Sequence, residues 1–163
     1  MLLNIIGFYI SWFGLVLLGN SFIPIALLLL CIHLYYLSDV SDETLLILCI
    51  TFIGIVVDSL LQLFNVFSFS GSHIPFWLMV LWASFAATIS HSLKVLASSR
   101  RFQFLVGGIV APLSYLAGYK LKVIDFNQSL FVTYIVLGII WANLFVLFFY
   151  LQSIIYKKDK HHV

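Results

Sequence analysis

Residues Thr44–Phe64 read TLLILCITFIGIVVDSLLQLF, an apolar run whose one charged side chain is Asp58. A run of about 20 mostly apolar residues is long enough for a helix to cross the roughly 30 Å hydrocarbon core of a membrane. A carboxylate near the centre of such a helix costs about 2.5–3.5 kcal/mol on insertion scales, so it usually faces protein or water and has a function. The run therefore predicts a membrane helix with a polar site at Asp58.

The composition of the whole chain is typical of a membrane protein. Of its 163 residues, 63% are hydrophobic and 9% are charged, and the mean hydropathy is +1.15. Soluble domains are roughly 45–50% apolar and about 25% charged. The basic residues lie near the ends of apolar runs, so the net charge of +2 indicates membrane orientation and no nucleic-acid partner. Cys31 and Cys49 lie in apolar segments without Cys-x-x-Cys spacing, which disfavours a disulfide or a thiolate metal site.

Polar breaks divide the chain into six predicted membrane helices. No Lys or Arg precedes the first apolar run, so we expect a retained first span rather than a cleaved signal peptide. The first two spans are short, and a tilted or partly re-entrant hairpin is the alternative for them. We predict an all-α polytopic helical bundle, with one six-span domain over residues 1–156 and a basic cytoplasmic tail over 157–163. The predicted spans are Leu2–Leu18, Phe22–Leu37, Glu43–Asn65, Pro75–Leu96, Phe102–Tyr119 and Ser129–Tyr156.

Basic residues favour the cytoplasmic side of a membrane. They are concentrated between the fourth and fifth spans and in the tail, which predicts that both termini are cytoplasmic. Asp39, Asp42 and Glu43 then face the same side. They can bind a divalent cation at the membrane edge, but a solvated acidic turn is the favoured interpretation. We therefore predict no metal site, and the sequence identifies no cofactor.

Helical periodicity places polar residues on one face of each of three consecutive spans, which predicts a shared polar interior with the apolar faces in lipid. At 1.5 Å rise per residue, Asp58 lies roughly 10 Å below the outer surface, level with Trp82 and Tyr115. By the same measure His91 lies roughly 24 Å from the outer side, near Asn4. Asp58 and His91 are therefore predicted to belong to two separate polar sites.

Each of these residues also has a structural interpretation. Asp58 can fix helix packing through Gln62 or a tyrosine, and Trp77, Trp82 and Tyr115 can belong to interfacial aromatic belts. Pro112 predicts a kink, which occurs beside cavities and in passive bundles alike. The chain contains no HExxH, Gly-x-Ser-x-Gly or P-loop motif.

Four strings occur in one order: DSLLQ at 58–62, PFWL at 75–78, SHSL at 90–93 and PLSYLAG at 112–118. Together they resemble the bacterial inner-membrane family known as domain of unknown function 2878, over nearly the whole chain. The resemblance implies a small multi-span protein of the bacterial inner membrane. Members of that family often lie near genes for fatty-acyl-modifying enzymes, which implies lipid chemistry. The residues that the resemblance singles out are Asp58, Gln62, Trp77, Trp82, His91, Pro112 and Tyr115.

The leading functional hypothesis is an enzyme or accessory factor in the modification of a fatty-acyl or isoprenoid lipid. Asp58, His91 and Tyr115 are the catalytic candidates, and Asp58 would donate or accept a proton. The candidate substrate-binding residues are Gln62, Trp77, Trp82 and Pro112. Expected partners are membrane lipids, a second copy of the chain, or a lipid-modifying enzyme. The alternatives are a small proton-coupled transporter, with Asp58 and His91 at two depths of a pathway, and a structural assembly partner.

Overall fold

The computed structural model describes residues 2–37 and 40–158 and confirms an all-α chain. Seven α-helices account for most of these residues, and two short strands pair antiparallel, Phe67 with Phe126 and Ser68 with Asp125. Single-turn 3-10 segments follow α1 and α4 at Gly19–Phe22 and Lys94–Ser98. The elements are α1 (Leu2–Leu18), α2 (Ile23–Leu37), α3 (Val40–Leu63), β1 (Phe67–Ser68), α4 (Phe76–Ile89), α5 (Arg100–Ile109), α6 (Ala111–Lys120), β2 (Asp125–Phe126) and α7 (Leu130–Lys158).

Four helical stretches are long and apolar enough to cross a membrane: Leu2–Tyr36, Ser41–Leu63, Arg100–Lys120 and Leu130–Lys157. The apolar α4 is shorter, since its 14 residues extend only about 21 Å at 1.5 Å per residue. These helices support a polytopic membrane protein. The number of six crossings and the cytoplasmic placement of both termini stay predictions.

The stretch Leu2–Tyr36 is a hairpin of α1 and α2. Gly19 at the turn has φ +59°, a backbone conformation that glycine adopts without the penalty a Cβ would bring. Phe22 then lies against Gly14, where a Cβ would overlap the ring. At the far end of the pair, Asn4 Nδ2 lies 3.2 Å from His33 Nδ1. The two helices therefore run antiparallel, and their open ends meet in a polar contact.

The predicted fourth span, Pro75–Leu96, was wrong in its last third. The helix ends at Ile89, and the chain turns through Ser90 to Leu93 before the 3-10 segment. The Thr88 carbonyl accepts hydrogen bonds from both His91 N and Leu93 N, which closes this turn. The apolar periodicity of the sequence did not reveal that the helix ends at Ile89, because apolar residues continue on both sides of this position. The turn carries His91 away from the helix axis.

The predicted fifth span is interrupted at Val110, just before Pro112. Helix α5 ends at Ile109, and α6 begins at Ala111 with Pro112 in its first turn, where a missing N–H sacrifices no helical hydrogen bond. The broken helix lies close to α7, because glycines face one another. A Cβ on Gly138 would lie 2.8 Å from Gly108 O, and a Cβ on Gly107 would lie 2.5 Å from Trp141 O.

Helices α3 and α4 are in contact at Gly54. The indole of Trp82 occupies the space that a Cβ at this position would need. Trp82 itself is almost completely buried. The missing side chain at Gly54 therefore lets α3 approach α4 and lets the indole lie between the helices.

We predict that Gly54→Ala destabilises the fold by about 1–3 kcal/mol, because the added methyl group forces the Trp82 ring out of place. The matched control is Gly7→Ala in α1, where a Cβ would meet nothing within 4 Å. That substitution should be neutral or stabilise by up to about 1 kcal/mol, since alanine is the better helix former. Equilibrium unfolding in mixed detergent micelles measures both, and equal stability of the two variants would contradict the packing described.

Candidate functional site

Asp58 of α3 contacts side chains of two other helices, α4 and α6. Its side chain extends from α3 and has 0% exposure. Asp58 Oδ1 accepts a 2.7 Å hydrogen bond from the Tyr115 hydroxyl of α6, and Oδ2 accepts a 2.7 Å hydrogen bond from Trp82 Nε1 of α4. A buried carboxylate is tolerable only when donors replace its lost hydration, and both of its oxygens are supplied here. The predicted common level of Asp58, Trp82 and Tyr115 is confirmed by these contacts.

The two donors belong to an aromatic cluster that extends to α7. The Trp82 ring stacks on Trp141 with centroids 5.0 Å apart and planes 4° from parallel. Tyr115 lies 6.1 Å from Trp141, centroid to centroid, in an edge-on arrangement. Asp58 therefore fixes the position of two rings, and those rings set the position of a third.

This aromatic cluster forms one wall of a cavity of about 620 Å³. Residues of α1, α4, α5, α6 and α7 line it, and none of the described lining residues is an Asp, Glu, Lys, Arg or His. All four tryptophans of the chain are among them, namely Trp12, Trp77, Trp82 and Trp141. Along α4 the lining runs from Trp77 to Thr88, which is about 16 Å at 1.5 Å per residue.

The cavity opens at the side of the bundle. Four of its apolar lining residues, on α1 and around the α5–α6 break, are largely exposed, and so is Ser114 beside them. The four apolar residues are Tyr9, Phe13, Val110 and Leu113. In a membrane-spanning protein, such exposed apolar side chains face lipid tails. The mouth is therefore accessible from the hydrocarbon region of the membrane.

A second polar cluster lies at the open end of the α1–α2 hairpin. His33 Nε2 of α2 lies 3.2 Å from Glu43 Oε1 of α3, and His91 Nε2 lies 3.5 Å from the same oxygen. The Tyr156 hydroxyl of α7 donates to Glu43 Oε2. Glu43 is only 1% exposed, so the expected solvated acidic turn was wrong for this residue. Asp39, which belonged to the same expectation, lies outside the described residues.

Asn4 determines which ring nitrogen of His33 carries the proton. Its Nδ2 donates to Ala87 O at 3.0 Å and lies 3.2 Å from His33 Nδ1, while its Oδ1 accepts from the Ser92 hydroxyl. An amide nitrogen only donates, so His33 Nδ1 is the acceptor and Nε2 carries the proton. His33 Nε2–H then donates to Glu43 Oε1. The predicted nearness of Asn4 and the His91 region is confirmed.

Of the remaining predicted site residues, one lies at the cavity and two lie elsewhere. Trp77 lines the cavity, whereas Gln62 and Pro112 do not. The Gln62 amide donates to Gly71 O at 3.3 Å, so of the two partners predicted for Asp58, Gln62 or a tyrosine, the tyrosine is the one found. Pro112 is buried near Gly138 on α7. Asp58 and His91 lie in separate clusters, in agreement with the prediction of two sites.

Sequence reasoning missed His33 and the burial of Glu43. The available signal was a histidine within the apolar run Ile23–Leu37, since ionisable groups in membrane helices usually face a partner. Its partner could not be found from periodicity within one helix. It required knowledge that α1 and α2 form a hairpin whose open end meets the start of α3.

Four helical stretches in the described part of the chain that are long and apolar enough to cross a membrane indicate an α-helical membrane protein. Its sequence matches the family described as "Protein of unknown function (DUF2878)" over residues 1–147. The chain therefore belongs to that family, and the resemblance drawn from its motifs is confirmed. No curated protein and no solved structure matches the chain.

We predict that Asp58→Leu lowers the free energy of unfolding by about 2–6 kcal/mol, because it leaves two buried donors without an acceptor at about 1–3 kcal/mol each. Asp58→Asn keeps the shape and one acceptor, and the Tyr115 hydroxyl can reverse its bond. It should cost about 1 kcal/mol. Equilibrium unfolding in micelles gives both values.

The control for these variants is Asp125→Asn, which neutralises an exposed carboxylate in β2 and should leave stability unchanged. An Asp58→Leu variant as stable as the parent protein would show that the contacts with Trp82 and Tyr115 do not stabilise the bundle.

Proposed function

We propose that this protein binds the fatty-acyl or isoprenoid chain of a membrane lipid in the cavity and acts in lipid modification, as an enzyme or accessory factor in the bacterial inner membrane. The observation that carries the proposal is an uncharged, tryptophan-lined cavity whose mouth consists of exposed apolar residues. A lipid chain can enter such a cavity from the membrane without passing through water.

The size and chemistry of the cavity suit this ligand. Small-molecule sites are usually clefts of roughly 300–1,000 Å³ with apolar and aromatic walls and a few polar groups, and the volume of about 620 Å³ lies within that range. The polar groups on its surface are hydroxyls, including Thr88, Ser92 and Ser114. Such groups can orient a hydroxyl, ester or carbonyl on a chain that is otherwise apolar.

The residues around Asp58 have different roles in this proposal. Trp82 and Tyr115 line the cavity and would touch the bound chain, whereas Asp58 lies behind them. Asp58 is thus a positioning residue for both rings. If the protein catalyses a reaction, the Tyr115 hydroxyl is the group that would touch the substrate, and Asp58 is placed to accept its proton.

The transport hypothesis lacks a comparable observation. Neither Asp58 nor His91 is among the residues that line the cavity, and no described lining residue is charged. A lipid-modifying enzyme that acts on the bound chain remains the partner we propose, together with membrane lipids.

Intrinsic fluorescence tests chain binding, since all four tryptophans line the cavity. We predict that a fatty acid brominated in mid-chain quenches tryptophan emission saturably in purified protein held in non-brominated nanodiscs. Unlabelled fatty acid should reverse the quenching. Quenching that rises linearly with added acid and never saturates would indicate partitioning into lipid, which contradicts a binding cavity.

The matched variants are Ala111→Phe and Ala117→Phe, both on partly buried positions of α6. Ala111 lines the cavity and Ala117 does not. The first should weaken the affinity measured by saturable quenching by at least tenfold, which corresponds to about 1.4 kcal/mol, and the second should leave it unchanged.

In a deletion strain, the parent gene and Ala117→Phe should restore the total lipid profile, whereas Ala111→Phe should not. An identical lipid profile with and without the gene would contradict the role in lipid modification.

A further inference from the structure

We propose that His33, Glu43 and His91 form a binding site for a divalent transition-metal ion. The site lies at the open end of the α1–α2 hairpin and is distinct from the lipid cavity, because none of these three residues lines that cavity. It is independent of the proposed function, so either proposal can fail without the other.

The spacing of the three side chains suits one ion. A tetrahedral ion with ligand bonds of about 2.1 Å holds its ligand atoms about 3.4 Å apart. The two imidazole nitrogens lie 3.2 Å and 3.5 Å from Glu43 Oε1, on either side of that value. All three ligand atoms lie within 4.8 Å of one another, so a small rotation of the imidazoles closes the set around an ion.

His91 supplies the observation that a hydrogen-bond network alone does not explain. Its Nε2 atom is buried and makes no hydrogen bond within the described part of the chain, although Glu43 Oε1 is 3.5 Å away. A buried polar atom without such a bond is uncommon in native structures. Coordination of a cation by this nitrogen would satisfy it.

The ligand types indicate the class of ion. Two imidazole nitrogens and one carboxylate oxygen suit zinc, iron, manganese or cobalt, whereas magnesium and calcium prefer oxygen ligands throughout. Three protein ligands leave a position open for water or another ligand, which is the arrangement of catalytic rather than structural zinc sites.

Two further residues hold the ligands in place. The Tyr156 hydroxyl donates to Glu43 Oε2 and leaves Oε1 to face both histidines. Asn4 contacts Nδ1 of His33, on the side of the ring away from Glu43. Outer contacts of this kind orient metal ligands, and losing one typically weakens metal binding 10–100-fold.

Metal binding at this site requires His33 to change its tautomer. In the metal-free arrangement His33 Nε2–H donates to Glu43, so the proton must leave Nε2 before that nitrogen can coordinate. The proton moves to Nδ1, and the Asn4 amide turns so that its carbonyl oxygen accepts from Nδ1–H. In this orientation the amide no longer donates to Ala87 O and donates instead to the Ser92 hydroxyl, so no proton is released overall.

The test measures binding of Co²⁺ and Zn²⁺ to full-length protein purified without a histidine tag. His161 and His162 are replaced by alanine in every sample, so that the C-terminal pair cannot bind the added metal. Co²⁺ in a site of low coordination number gives visible absorption bands far stronger than those of the hydrated ion. We expect one equivalent of Co²⁺ to produce these bands and one equivalent of Zn²⁺ to abolish them.

His91→Ala is the decisive variant, because its Nε2 makes no hydrogen bond to residues 2–37 or 40–158 and its loss removes no such bond from the fold. It should weaken Zn²⁺ binding by more than about 100-fold, beyond the usual effect of losing an outer contact. Tyr156→Phe should weaken binding by about 10–100-fold. His73→Ala is the matched control, since His73 is exposed and bonded to Ser72, and it should bind as the parent does.

Each outcome decides the proposal. Stoichiometric binding that His91→Ala removes and His73→Ala retains supports the site, provided that His91→Ala melts within a few degrees of the parent. Absence of the Co²⁺ bands in the parent overturns it and leaves the cluster as a hydrogen-bonded link between helices. Binding that persists in His91→Ala, or in a His33→Ala and His91→Ala double variant, also overturns it.

Discussion

The hydrogen bonds from Trp82 and Tyr115 to the Asp58 carboxylate are the interaction on which the rest of the bundle depends. A carboxylate at 0% exposure in a membrane helix is strongly unfavourable unless donors surround it. Those donors come from two other helices, so satisfying one side chain requires α3, α4 and α6 to meet at one level. Gly54 makes this possible, because the indole of Trp82 occupies the place of its missing side chain. The cavity depends on the same contacts, since the rings that Asp58 holds form one of its walls.

Helix α4 connects the two polar sites. Trp82 lies in the site around Asp58, while the Ala87 carbonyl accepts from Asn4 in the cluster around Glu43. Thr88 and Ser92 line the end of the cavity nearest that second cluster. The apolar cavity therefore extends between a carboxylate that is fully enclosed and a cluster whose histidine His91 is partly exposed. A lipid chain bound as we propose would have one end near hydroxyl groups and the remainder against aromatic rings.

Much of the site around Asp58 could be predicted, because it depends on helical geometry. Counting the rise along each span placed Asp58, Trp82 and Tyr115 at one level, and the structure joins them. Gln62 was a candidate for the same site, but its side chain does not contact Asp58. The chain after α3 folds back through β1 and brings Gly71 O to the Gln62 amide. Of the second cluster, only the nearness of Asn4 and His91 could be predicted, since its members come from the ends of five separate segments. These residues come together because α1 and α2 form a hairpin and because α4 ends early, at Ile89. Neither feature produces a periodic pattern of polar and apolar residues in the sequence.

The most direct test of the Asp58–Trp82 contact is the exchange of indole N–H groups with deuterium, followed by NMR on ¹⁵N-labelled protein in micelles. The four tryptophans give four indole signals, and loss of one in Trp82→Phe identifies that of Trp82. If Asp58 holds this indole, its N–H should exchange more slowly than that of Trp12 and should change its chemical shift markedly in Asp58→Asn. A Trp82 signal that exchanges as fast as the Trp12 signal, with no change in Asp58→Asn, would contradict the hydrogen bond that organises the bundle.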